Sequence, residues 1–76
     1  MDFYHLTKEN DSWNLTKEGN DRASKAFHTT KDEAIKESAT YLESHGGGSL
    51  KIHKEDGTIQ EERTYPRSAD PVSSEG

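Results

Sequence analysis

Cysteine is absent from these 76 residues. Disulfides, thiolate metal sites and a cysteine nucleophile are excluded with it. A domain this small that lacks disulfides is expected in a reducing compartment, the cytoplasm. Long apolar runs are missing too. Hydrophobic residues make up 26% of the chain, and no stretch approaches a signal-peptide h-region or a membrane span. The start, Met1-Asp2-Phe3, carries no basic n-region, so neither secretion nor membrane insertion is expected. A block of positive charge is the third absence. Fifteen acids outweigh ten bases for a net charge of −5. Residues 1–29 hold five acids and four bases, 30–45 four and two, 46–65 four and three. No segment is net positive, which disfavours non-specific binding to nucleic acid or an anionic membrane. Aromatics are scarce at 8%, with Trp13 the single tryptophan. What remains is enough for one small core and one domain.

The clearest positive signal lies at residues 29–44. Thr30 followed three residues later by Glu33 is a capping box, in which the hydroxyl accepts from the N3 amide and the carboxylate reaches back to the cap. Ala34, Ile35, Ser38, Ala39 and Leu42 then fall on one face with Tyr41 beside them, while Lys31, Asp32, Lys36, Glu37 and Glu43 cover the other. The spacing predicts a helix over 31–44 with one dry face, approaching its support most closely at Ala39. Gly46-Gly47-Gly48 ends it, since glycine takes the left-handed conformation without a Cβ penalty.

Short alternating runs flank the helix. Residues 3–8 place Tyr4 and Leu6 on one side and His5 and Thr7 on the other. Residues 13–17 return with Trp13 and Leu15 against Asn14 and Thr16, after turn chemistry at Glu9-Asn10-Asp11-Ser12. Residues 22–28 read as an edge strand or extended arm that delivers Phe27 beneath the start of the helix. Beyond the glycines, Leu50 and Ile52 alternate with Lys51 and His53. Asp56-Gly57 then signals a hairpin with a type I′ turn into residues 58–64, where Ile59 is expected inward. From residue 66 onward no periodicity survives.

The expected fold is therefore α+β, in the order β-β-(β)-α-β-β. Two hairpins and a short strand form a small antiparallel sheet, with one helix packed on one face. Residues 1–65 make the domain and residues 66–76 a disordered C-terminal tail. Leu6, Trp13, Leu15, Phe27, Ile35, Leu42, Leu50, Ile52 and Ile59 are the expected core, each stabilising by roughly 1.5–3 kcal/mol when fully buried.

Five features stand in register along this chain. They are Trp13-x-Leu15-x-Lys17-x-Gly19, Arg22-Ala23-Ser24, Thr30-Lys31-Asp32-Glu33-Ala34-Ile35, Leu50-x-Ile52-His53-x-x-Asp56-Gly57-x-Ile59 and Thr64-Tyr65 before a proline. Their order and spacing resembles the small bacterial family known as domain of unknown function 2188 (DUF2188), which runs W-x-V-K-x-E-G, R-A-S, T-x-x-E-A-I, G-x-x-L-x-I-H-x-x-D-G-x-I. Leu15 replaces a more usual valine, and Gly46-Gly47-Gly48-Ser49 makes a longer helix exit. The resemblance implies a small soluble bacterial domain with no assigned activity and no functional residues to carry over.

Candidate sites are few. His5, His28, His45 and His53 match no metal-ligand spacing, although His5 and His53 lie on outward faces of different strands and could be neighbours. Glu61 and Glu62 point to opposite faces of one strand, and Glu33 is accounted for by capping. Gly46-Gly47-Gly48 leaves a helix rather than opening one, so it cannot cradle a phosphate. No catalytic group, cofactor or metal is expected, and the chain is not read as an enzyme.

Two binding readings remain. The first is an interaction module for an unknown protein partner or a second copy, using the half-exposed edge at 58–64 and the arm at 22–28. The alternative is a nucleic-acid-binding accessory domain that uses the helix-free sheet face, with Lys8, Lys17, Lys51 and His53 as the contacts. Its strand–strand–helix order loosely resembles the arm-type DNA-binding domains of phage integrases. The distribution of charge on the folded surface discriminates between them: gathered lysines favour nucleic acid, interspersed acids a protein.

Overall fold

The computed structural model describes residues 2–65. The tail expected at 66–76 lies outside the described residues. Five strands and one helix follow in order: β1 (Phe3–Glu9), β2 (Ser12–Lys17), β3 (Lys25–Phe27), α1 (Lys31–Ser44), β4 (Gly48–His53) and β5 (Ile59–Tyr65). The fold is α+β, one helix over a five-stranded sheet in the order β3-β2-β1-β4-β5.

Local chemistry sets the helix ends. The Thr30 hydroxyl accepts from the Glu33 amide at 3.3 Å. The Glu33 carboxylate turns instead to Lys36 Nζ at 3.9 Å, so the box is made from one side. At the other end the Gly47 N–H donates to the Leu42 carbonyl at 2.7 Å. Gly46 and Gly47 take φ of +90° and +87° there, conformations that disfavour any side chain.

The sheet departs from the expected all-antiparallel arrangement. Three of its pairings are antiparallel, but β1 and β4 run parallel at its centre, with Tyr4 beside Leu50 and Leu6 beside Ile52. Chain reversals are the cause. The chain turns back into β2, again into β3, again along the helix and once more into β4, which restores the direction of β1. The short strand β3, paired through Trp13–Phe27, supplies the reversal that decides the sign.

One face of this sheet carries the core. Tyr4, Leu6, Trp13, Leu15, Phe27, Leu50, Ile52 and Tyr65 pack there under Ala34 and Leu42 of the helix, with Ile35, Ala39 and Tyr41 partly buried at the margin. Along the helix Ala34, Ser38 and Leu42 are fully buried, whereas Ala39 is only partly buried.

Ile59 corrects a second expectation. Strict alternation back from Tyr65 directs it inward, yet it is 55% exposed. Ile52 pairs with Glu61 and His53 with Ile59, so β5 spends one extra residue, Gln60, on a single step of β4. That bulge resets the phase of the strand and puts Ile59 on the helix-free side opposite His53.

The Asp-Gly hairpin is also not type I′. Gly57 has φ +95°, whereas Asp56 is not in the left-handed region. Its turn is closed by Gly57 N–H to the Lys54 carbonyl at 2.9 Å and by Lys54 N–H to the Thr58 carbonyl at 2.7 Å. This is the longer loop, with glycine in the left-handed position, and it leads straight into the bulge. Asp56 accepts from both the Thr58 amide (3.0 Å) and the Thr58 hydroxyl (2.7 Å), which braces the corner.

Candidate functional site

The helix-free face is built from the odd-numbered positions of β1 and β4 and their neighbours. Residues directly opposite across a strand pair share a face. Phe3, His5 and Thr7 of β1 therefore stand beside Thr16 and Asn14 of β2 and beside Ser49, Lys51 and His53 of β4. Glu62, Thr64 and the bulge-displaced Ile59 complete it from β5. Phe3 (41% exposed) and Ile59 are the exposed large hydrophobic residues among those described, and both are on this face.

The register divides the four candidate nucleic-acid contacts. Lys51 and His53 are on the helix-free face. Lys8 is opposite Trp13 and Lys17 opposite Tyr4, so both belong to the side the helix covers. Lys8 Nζ sits 5.5 Å from the centre of the Trp13 ring, with Lys31 Nζ at 5.3 Å from the same ring.

Each of the three lysines is met by an acid. Lys8 Nζ stands 3.9 Å from Glu55, Lys17 Nζ 3.7 Å from Asp2 and Lys51 Nζ 3.7 Å from Glu18. Lys51 also lies opposite Glu62, which accepts a hydrogen bond from the Ser49 hydroxyl, and 5.8 Å over the Phe3 ring. Surface pairs of this kind add little to stability. Their consequence is for recognition, because each of these three cations, offered to a phosphate, brings a carboxylate with it.

His53 is engaged differently. The two outward histidines do meet, with His5 Nδ1 and His53 Nε2 2.9 Å apart. On the far side of His5, Nε2 is 2.9 Å from Glu18 Oε1. On the far side of His53, Nδ1 is 2.8 Å from the Gly57 carbonyl oxygen. An unbroken chain of polar contacts thus runs from the β2–β3 turn through β1 and β4 to the β4–β5 turn. The hydrogen bond from His5 and the nearby Lys51 ammonium hold the Glu18 carboxyl below the usual carboxylate range.

Glu18 is the member that sequence reasoning passed over. Its backbone N–H donates to the Phe3 carbonyl at 2.7 Å, which continues the β1–β2 ladder past Lys17. Extending that ladder by one residue from Lys17 sets Glu18 opposite Phe3, on the face of His5. The hairpin register was the available signal.

The other histidines play no part here. His45 caps the helix C-terminus and stacks on Tyr41 with ring centres 4.0 Å apart. Among the described residues no three His, Cys, Asp or Glu side chains are grouped to hold a metal ion, and no helix is long and apolar enough to cross a membrane.

The chain belongs to the family described as an uncharacterized protein conserved in bacteria, DUF2188, which matches residues 4–65. That span begins in β1 and ends on the last residue of β5, so the family is defined over the whole sheet and its helix. No curated protein matches the chain, and neither does any solved structure.

Proposed function

We propose that this chain is a non-enzymatic interaction module of the bacterial cytoplasm, and that its partner is another protein or a second copy of itself. The carrying observation is the pairing of Lys8, Lys17 and Lys51 with Glu55, Asp2 and Glu18. Affinity for nucleic acid comes from cations that displace the counterions of successive phosphates. Acids within a Debye length of about 8–10 Å oppose each such contact. A protein surface of mixed charge makes no such demand.

Two further features support a protein partner. The strand β5 is an outer strand of the sheet with seven residues, long enough to accept another strand along its edge. Phe3 and Ile59 place apolar surface on the helix-free face, where a polar rim of Thr, Ser, Lys and Glu surrounds them. The lack of cysteine in the sequence supports the reducing compartment.

The test has two arms. Titration with generic duplex and single-stranded DNA at low salt is expected to show association no tighter than roughly 10⁻⁴ M. Crosslinking in the native host is expected to join the chain to a protein, and the double variant Phe3→Ser with Ile59→Ser to lose that product while still folding. Micromolar DNA binding that weakens steeply with salt would overturn the proposal in favour of a nucleic-acid accessory domain.

A further inference from the structure

We infer that His5 and His53 form a one-proton clasp on the helix-free face, in which two imidazoles share a single positive charge between Glu18 and the Gly57 carbonyl. The inference rests on counting hydrogens along the chain of contacts. A carbonyl oxygen only accepts, so the 2.8 Å contact at Gly57 requires a hydrogen on His53 Nδ1. An ionised carboxylate likewise only accepts, so the 2.9 Å contact at Glu18 requires a hydrogen on His5 Nε2. Between the rings, His5 Nδ1 and His53 Nε2 are 2.9 Å apart, a distance that needs one hydrogen on one of the two nitrogens. Three ring N–H groups are therefore in use, and two neutral imidazoles carry only two. The third is the shared proton.

The central contact exists in this charge state alone. With one proton fewer, the anionic Glu18 and the Gly57 carbonyl keep their N–H donors, and two lone pairs face each other across the inter-ring gap. With one proton more, two N–H groups face each other there. Both states push the rings apart. The surroundings favour the middle one. Glu18 supplies the balancing charge from the β2–β3 turn, while Lys51, on β4 and 3.7 Å from that carboxylate, limits a second proton. Glu62 of β5 is opposite Lys51 and Ile59 opposite His53, and Thr16 of β2 is opposite His5. Of these neighbours Glu62 is the one further charged group, and Ile59 and Thr16 add none. The mechanical consequence is that the β2–β3 turn and the β4–β5 turn are tied across β1 and β4 only while the pair holds this one proton.

The test is an imidazole ¹⁵N NMR titration of the full chain between about pH 4 and pH 9. Two macroscopic steps are expected, each sensed by both rings, as for any strongly interacting pair. Inter-ring cross-peaks are expected between the steps and not outside them. His5→Gln should leave His53 with one simple step, and Glu18→Gln should move the higher-pH step to lower pH. Should His5→Gln fail to fold, the wild-type titration decides alone. Two rings that each follow an independent single-site curve would overturn the clasp, as would steps that Glu18→Gln leaves in place.

Discussion

Gly48 and the Asp2 carbonyl lie closer than any side-chain-bearing residue would allow. A β-carbon on Gly48 would stand 2.8 Å from the Asp2 carbonyl oxygen, with Leu42 Cδ2 a further 3.6 Å neighbour. The same carbonyl accepts the Ser49 N–H at 2.8 Å, which draws the start of β4 onto the residue preceding β1. The parallel pair at the sheet centre thus begins at a contact between two backbones, and the third glycine after the helix serves that contact.

Gly48→Ala is accordingly expected to destabilise the domain by about 1–3 kcal/mol, because the crowded atom is backbone and cannot swing away. Urea denaturation of the two proteins measures it. An unchanged midpoint would mean that β4 shifts freely against residue 2.

The bulge predicts opposite fates for two aliphatic residues. Ile59→Thr is expected to change stability by no more than about 0.5 kcal/mol, as for other exposed positions. Leu42→Ala, at a fully buried site, is expected to cost about 2–5 kcal/mol, a large part of the stability of a small domain. Thermal and urea unfolding of both variants check this, and a large loss at Ile59 would mean the strand runs without its bulge.

Ser38 is fully buried, and its hydroxyl has no hydrogen-bond partner among the described residues. Removing an unsatisfied buried group and improving helix propensity act in the same direction. Ser38→Ala should therefore stabilise by about 1–2 kcal/mol. A loss of stability would show that the hydroxyl has a bonding role in the folded protein.

At the helix start, Thr30→Ala should cost about 0.5–2 kcal/mol through loss of the bond to the Glu33 amide. Glu33→Ala should cost less, roughly 0.5 kcal/mol, since its carboxylate makes a helix-surface pair with Lys36. Equal costs would restore the two-sided capping box that the sequence suggests.

Acid should weaken the fold through two carboxylates. Glu18 is held low chiefly by the hydrogen bond from His5 and then by Lys51, and Asp56 chiefly by the Thr58 amide and then its hydroxyl. Each has a folded value below its unfolded one. The stability it contributes is present above the ordinary carboxylate range near pH 4 and is lost as pH falls through the lower folded value. Denaturation midpoints measured down the acid limb should fall less steeply in Glu18→Gln and Asp56→Asn than in the wild type. Parallel curves would remove both groups from the acid response.

Much of this architecture was already legible in the chain. The bounds of the helix at 31 and 44, its cap at Thr30 and its buried side follow from interactions within four residues of one another, so they need no knowledge of the rest. The inward facing of Tyr4, Leu6, Trp13, Leu15, Leu50 and Ile52 is equally local, because a strand alternates with period two. Alternation says which side chains share a face within one strand. It does not say which strand is the neighbour or which way that neighbour runs, and the parallel β1–β4 pair depended on β3, three residues long, counting as a reversal. Nor does it reveal a bulge, where a single extra residue inverts the phase and carries Ile59 from the core to the surface. The clasp lies furthest from the sequence. Glu18, His5 and His53 come from a turn and two strands, separated by 13 and 48 positions, and only the register of the assembled sheet brings their polar atoms within hydrogen-bond reach.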